Sequence, residues 1–197
     1  MKKKETLAKI VRIVTVPPVM IIALLIILAK VCPEIYRTPS DLFIMLLLLG
    51  IFPALSYPLQ PMLPGYKNSG REGQRNLAFL FSVIGYIAAL IFTFASYANA
   101  SLRLISLTYC LSVIILILCN KLFHLRASGH ACSQTGPILF LVYFINWKCI
   151  LPGLLIAALV VWSSLLLKRH SVRDLLSGSL VYITAFCLSL LIMHSLL

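Results

Sequence analysis

The sequence predicts an all-α protein, a single polytopic membrane domain over residues 1–197 built as a bundle of about six to seven transmembrane helices. Three observations predict it. Of 197 residues, 61% are apolar and only 11% charged, with a mean hydropathy of +1.02, whereas a soluble domain is typically about one-quarter charged. The apolar residues form continuous Leu/Ile-rich runs instead of alternating, which selects helices over a transmembrane barrel. No polar stretch is long enough to hold a soluble domain. Backbone polar groups in lipid must pair internally, and a helix does this segment by segment.

Seven apolar segments approach the length of a span, at 13–29, 42–57, 77–98, 104–119, 131–147, 150–167 and 175–194. Pro17 and Pro18 interrupt the first. Lys30, Pro33 and Glu34 follow it where a signal peptide would present a small-residue cleavage site, so it reads as a retained helix. The fifth starts with Ser133-Gln134-Thr135-Gly136-Pro137, a composition suited to a helix tilted or packed inside the bundle. The six cysteines (Cys32, Cys110, Cys119, Cys132, Cys149, Cys187) show no paired metal spacing and read as small buried hydrophobes.

The net charge is +12. No compact basic domain with interleaved aromatics is present, which argues against nucleic acid. Basic residues in loops between membrane helices face lipid headgroups or phosphate. Three polar stretches stand out: a Pro/Gly-rich loop at 58–76, and two basic, His-bearing loops at 120–130 and 168–174. Each is separated from the next by two segments, so all three emerge on one face. The site-bearing core is therefore about residues 58–197.

Each loop carries a chemical pattern. In Arg126-Ala127-Ser128-Gly129-His130, Ser and Gly can turn N–H groups towards an anion at a helix start; a capping serine beside an interfacial histidine explains the same residues. His170 and Asp174 are four apart, which on a helix puts both on one face. A carboxylate on one imidazole nitrogen leaves the other free as nucleophile or base; the pair equally suits two groups satisfying each other at a helix entrance. Lys67, Arg71 and Arg75 can neutralise a phosphoryl group, and taken alone they suit a headgroup-facing surface. Only five acidic residues exist, Glu5, Glu34, Asp41, Glu72 and Asp174, and the three loops hold just the last two. A two-metal phosphatase needs several clustered carboxylates, so no metal or cofactor is expected.

These residues resemble the membrane type-2 phosphatidic acid phosphatase superfamily, which shares its core with vanadium haloperoxidases. Its blocks read Lys-x6-Arg-Pro, Pro-Ser-Gly-His and Ser-Arg-x5-His-x3-Asp. Ala127-Ser128-Gly129-His130 is similar to the second. Ser163-Ser164, five residues, His170, three residues and Asp174 is similar to the third, with Gly178 expected as a helix breaker beyond it. The first block is looser: Lys67 and Arg75 are one residue too far apart, and Asn76 stands where Pro is expected. Ser164 stands where the family has a phosphate-binding Arg, and Lys168 or Arg169 is the expected substitute.

The resemblance implies metal-independent hydrolysis of a membrane lipid phosphate or diphosphate, such as a polyprenyl diphosphate, phosphatidic acid or phosphatidylglycerophosphate, in a bacterial inner membrane. His170 would attack phosphorus, oriented by Asp174, and His130 would act as acid and then base. Lys67, Arg71, Arg75, Ser128, Gly129, Lys168 and Arg169 would hold the phosphate. The alternative is a non-catalytic relative that binds or moves phospholipid with the same pocket.

Overall fold

Two consecutive prolines suit a helix's first turn and not its interior, because Pro lacks the N–H donor and clashes with the preceding turn. The chain accordingly starts as two helices. In the computed structural model, which describes residues 2–196 (side chains from residue 3), α1 (Lys2–Val14) ends just before the prolines and α2 (Pro17–Val31) begins on them. The two are bent by 56°. Six more helices follow: α3 (Pro39–Met62), α4 (Gly70–Ala95), α5 (Ala100–Leu122), α6 (Gly129–Phe144), α7 (Trp147–Leu166) and α8 (Val172–Ser195). No strand occurs among the described residues. The fold is an all-α, membrane-embedded helical bundle.

Five helices (α3, α4, α5, α7 and α8) are long and apolar enough to cross a membrane, and a sixth span results if α1 and α2 count as one bent crossing. A count of six lies within the expected six to seven. The fifth segment forms α6, which has 16 residues and is about 24 Å long, short of the roughly 30 Å hydrocarbon core. It is packed inside: Ala131, Cys132, Ser133, Gln134, Gly136, Pro137 and Phe140 are all buried. Its far end meets that of α2, where the Cys32 thiol donates to the Phe144 carbonyl at 3.6 Å. Helix α6 is thus packed inside the bundle, whereas α2 keeps an outer face with Val19, Ile26 and Val31 exposed.

Helix α8 packs on α5 and α6, and α4 on α5. Their shared interior is aromatic, with Tyr109 touching Tyr86, Tyr182 and Phe140 at ring separations of 5.5–6.2 Å. Thr93 and Ser106, both fully buried, join α4 to α5 by a 2.7 Å hydroxyl pair. Leu151, Leu155, Leu176, Leu180 and Leu191 point outward, more than half exposed, as suits side chains whose solvent is lipid. The expected polar loop at 58–76 is largely helical: α3 reaches Met62 and α4 starts at Gly70, leaving only seven connecting residues.

Candidate active site

The site lies at the bundle end where α1, α6, α7 and α8 meet and α4 begins. Ser128 caps α6, its hydroxyl accepting from the Ala131 N–H at 3.4 Å. Its own N–H donates to the Asp174 carbonyl in the first turn of α8, at 2.8 Å. Such close approach needs a glycine opposite, and Gly178 supplies it: a Cβ there would fall on the Ser128 carbonyl. The expectation that Gly178 breaks the helix is therefore corrected, since α8 runs straight through it to Ser195. With its hydroxyl turned back into the helix and fully buried, Ser128 aligns the two helix starts.

His130 follows in the first turn of α6, its Nε2 3.2 Å from the Thr15 hydroxyl. Thr15 donates its own proton to the Val11 carbonyl at 2.7 Å, so it accepts from the imidazole and the proton sits on Nε2. Burial, then the charges of Arg12 and of His170, push the His130 pKa down to about 3, opposed by a hydrogen bond to the Arg12 backbone. Gly129, one residue earlier, opens into the bundle interior.

Helix α7 ends in a Schellman-type turn. The Arg169 N–H donates to the Ser164 carbonyl at 2.9 Å and the Lys168 N–H to that of Leu165 at 3.0 Å. Lys168 occupies the left-handed position at φ 49°, where glycine is usual. This turn carries Arg169 and His170 back over the bundle end. Helix α8 then starts at Val172 with a capping box: Ser171 accepts from the Asp174 N–H at 3.2 Å, and the Asp174 carboxylate accepts from the Ser171 N–H at 2.9 Å. His170 precedes the helix, so the expected pairing across one helical face is corrected. Asp174 instead reaches back to His170 from inside the cap, Oδ2 to Nδ1 at 3.7 Å. That is too long for a hydrogen bond but close enough to orient the ring electrostatically.

The cations decide the character of the cluster. Arg12, on α1, donates from Nη1 to the Ser164 hydroxyl at 2.9 Å and is near enough to act on Arg169 and Arg71. Arg71 acts on Arg169, Arg75 on His170, and Arg126 on Asp174. Arg71 and Arg75 stand one turn apart at the start of α4, on a helix instead of the expected loop. Burial, then the charge of Arg12, lowers the His170 pKa below its ordinary value; Asp174 pulls it up without reversing the shift, and Arg75 adds to the lowering. Burial and then Arg71 lower that of Arg169. Lys67 and Lys168 are exposed, and neither is drawn into these interactions.

Arg12 was not among the residues expected from the sequence. Its signal was present nonetheless: a lone guanidinium between Val11 and Ile13 is an ionisable group in apolar surroundings, a functional candidate by default. It was obscured because Lys2, Lys3, Lys4 and Lys9 make it look like one more charge of a basic N-terminus.

Like charges converging in a partly buried site repel one another and are relieved by an anion. Fold and site together define a membrane-embedded helical protein with an anion-attracting, two-histidine cluster at one end of its bundle. No protein-family model, curated protein or solved structure matches this chain. Among the described residues, no three His, Cys, Asp or Glu side chains gather around a common point.

Proposed function

We propose that the protein hydrolyses a phosphorylated membrane lipid, without a metal, through a phosphohistidine on His170, as the likeness of its loops to the type-2 phosphatidic acid phosphatases implies. The observation that carries this reading is the convergence of Arg12, Arg71, Arg75 and Arg169 around two histidines with one nearby carboxylate. Asp174 faces Nδ1 of His170 and so favours the proton there, leaving Nε2 free to attack phosphorus. The bond from phosphorus to the lipid oxygen breaks, and His130, which takes up a second proton beside the bound phosphate, protonates that leaving oxygen and returns to its neutral form. Water then attacks the phosphorus of the phosphohistidine, His130 takes a proton from it, the P–N bond breaks, and inorganic phosphate leaves. The guanidinium groups stabilise the charge on the equatorial oxygens throughout. The setting of this activity is a bacterial inner membrane.

The test is phosphate release by the purified full-length protein from phosphatidic acid, phosphatidylglycerophosphate and a polyprenyl diphosphate in mixed micelles. Hydrolysis is expected to survive excess EDTA and to be inhibited by vanadate, a mimic of the five-coordinate transition state. Activity that disappears with chelator and returns with Mg²⁺ or Zn²⁺ overturns the mechanism. Phosphate binding without release from any lipid favours the non-catalytic reading.

A further inference from the structure

Helix α1 has two unlike faces. Ala8, Arg12 and, one residue past the helix, Thr15 are spaced by four and three and share the side turned to the bundle. Ala8 and Thr15 are buried, and Arg12 and Thr15 reach Ser164 and His130. Leu7, Ile10 and Val14 line up on another side with Ile13 beside them, and these four are 52–67% exposed. Lys3, Lys4 and Lys9 are exposed as well, against a single carboxylate in the helix, Glu5. Helix α1 packs chiefly on α7, which leaves the apolar row uncovered. Neither bulk phase suits such a helix. Its 13 residues extend about 20 Å, short of the roughly 30 Å hydrocarbon core, and its lysines are costly to bury there. Four large apolar side chains together are equally unsuited to water. The boundary between headgroups and acyl chains suits both. Helix α1 sits at that level, because Arg12 meets Ser164, which is about 3 Å before the end of the α7 span at Leu166.

We infer that the outer face of α1 docks on an anionic membrane leaflet, with Leu7, Ile10, Ile13 and Val14 entering the acyl boundary and Lys3, Lys4 and Lys9 pairing with anionic headgroups. Charge selects this partner. A neutral leaflet accepts the apolar row but leaves three ammonium groups without counter-charge, whereas each lysine near an anionic surface adds about fivefold in affinity. A second copy of this chain would set the same lysines against one another, and like charge opposes that contact. The bend of 56° before α2 frees α1 from the axis of the next helix, so that it can lie over the bundle end. Because both faces belong to one helix, its seating on the leaflet also holds Arg12 on Ser164 and Thr15 on His130. The docking is independent of the chemistry proposed for the cluster and suits a binding protein as well as a hydrolase.

The experiment is hydrogen–deuterium exchange of residues 2–14, read by peptide mass, on full-length protein in nanodiscs of phosphatidylcholine alone or mixed with phosphatidylglycerol. The α1 amides are expected to exchange about tenfold more slowly in the anionic discs, while those of α5 stay unchanged. Salt at about 1 M, where screening acts within roughly 3 Å, should remove the difference. Lys3→Gln, Lys4→Gln and Lys9→Gln together should remove it too, although the arginine cluster stays intact in that variant. Ile10→Asn should speed exchange in both kinds of disc. Equal exchange in neutral and anionic discs overturns the inference, as does a difference that survives salt or the triple substitution, or an Ile10→Asn protein that exchanges as before. Protection that depends on a second copy in the disc assigns the face to self-association and overturns it as well. If the triple variant fails to fold, the salt titration of the unsubstituted protein decides alone. Phosphate release is not read: failed docking leaves the hydrolase reading standing, and docking by a protein that releases no phosphate sinks the hydrolase reading only.

Discussion

Arg12 donates a 2.9 Å hydrogen bond to Ser164 across 152 positions of chain. Under the proposed reading Ser164 takes the place of a phosphate-binding arginine, and α1 brings a guanidinium to that place. Arg12 thus stands beside the expected substitutes: Lys168 shapes the turn after α7, and Arg169 joins the cluster from the next position. Arg12→Ala is expected to lower kcat/KM for phosphate release by about 10²–10³-fold, the usual loss of one preorganised donor to transition-state charge. Adding Ser164→Arg should recover part of it, because a guanidinium at 164 starts from the atom Arg12 now contacts. Lys168→Ala should leave turnover near wild type. A fully active Arg12→Ala protein would remove α1 from the site.

The two histidines should fail differently. His170→Ala is expected to abolish both turnover and any phosphoenzyme trapped by acid quench. His130→Ala should slow turnover by about 10²–10⁴-fold, as loss of a general acid does, with the deficit shrinking for substrates with good leaving groups. Near-normal phosphate release by His170→Ala would refute the nucleophile assignment.

His170 also carries a pH signature. Burial and Arg12 hold its pKa below the ordinary value, with Arg75 assisting and Asp174 opposing, so the neutral ring persists into acid. An unfolded histidine binds its proton near pH 6.5. The stability contributed by keeping His170 neutral is therefore fully present above that value and is lost as pH falls through the lowered native pKa. Modification of His170 by diethyl pyrocarbonate, read by peptide mass, should titrate below pH 6.5. In Arg12→Gln the midpoint should move up. An unchanged midpoint would mean that Arg12 is too far from the ring to matter.

Gly178→Ala tests the seam between α6 and α8. In an open helix, Ala is the better residue by about 1 kcal/mol. Here its methyl meets the Ser128 backbone, and the expected result is destabilisation of about 1–3 kcal/mol, as for other overpacked sites. The check is a lower thermal midpoint in detergent, with turnover falling as His130 and His170 are moved apart. A higher midpoint would show that the seam relaxes freely.

The sequence by itself determined the class of fold, because membrane insertion depends on apolar length and composition, both summed locally along the chain. It also marked the Pro17-Pro18 break, the buried character of α6, and the three stretches that supply His130, His170, Asp174, Arg71 and Arg75. Some of what it left open was still local. Ser171 and Asp174 spell a capping box that starts α8 after His170, and that signal competes with reading His170 and Asp174 as partners along a helix already formed. The rest was decided by tertiary structure alone. The bend before α2 and the packing of α1 on α7 put Arg12 on Ser164, and Gly178 admits the Ser128 backbone. Helix packing also sets the Tyr109 and Tyr182 rings edge to face at 5.5 Å and buries both hydroxyls. Each of these is a distance between residues far apart in sequence, set by how helices meet, and no local sum of propensity or hydropathy contains it.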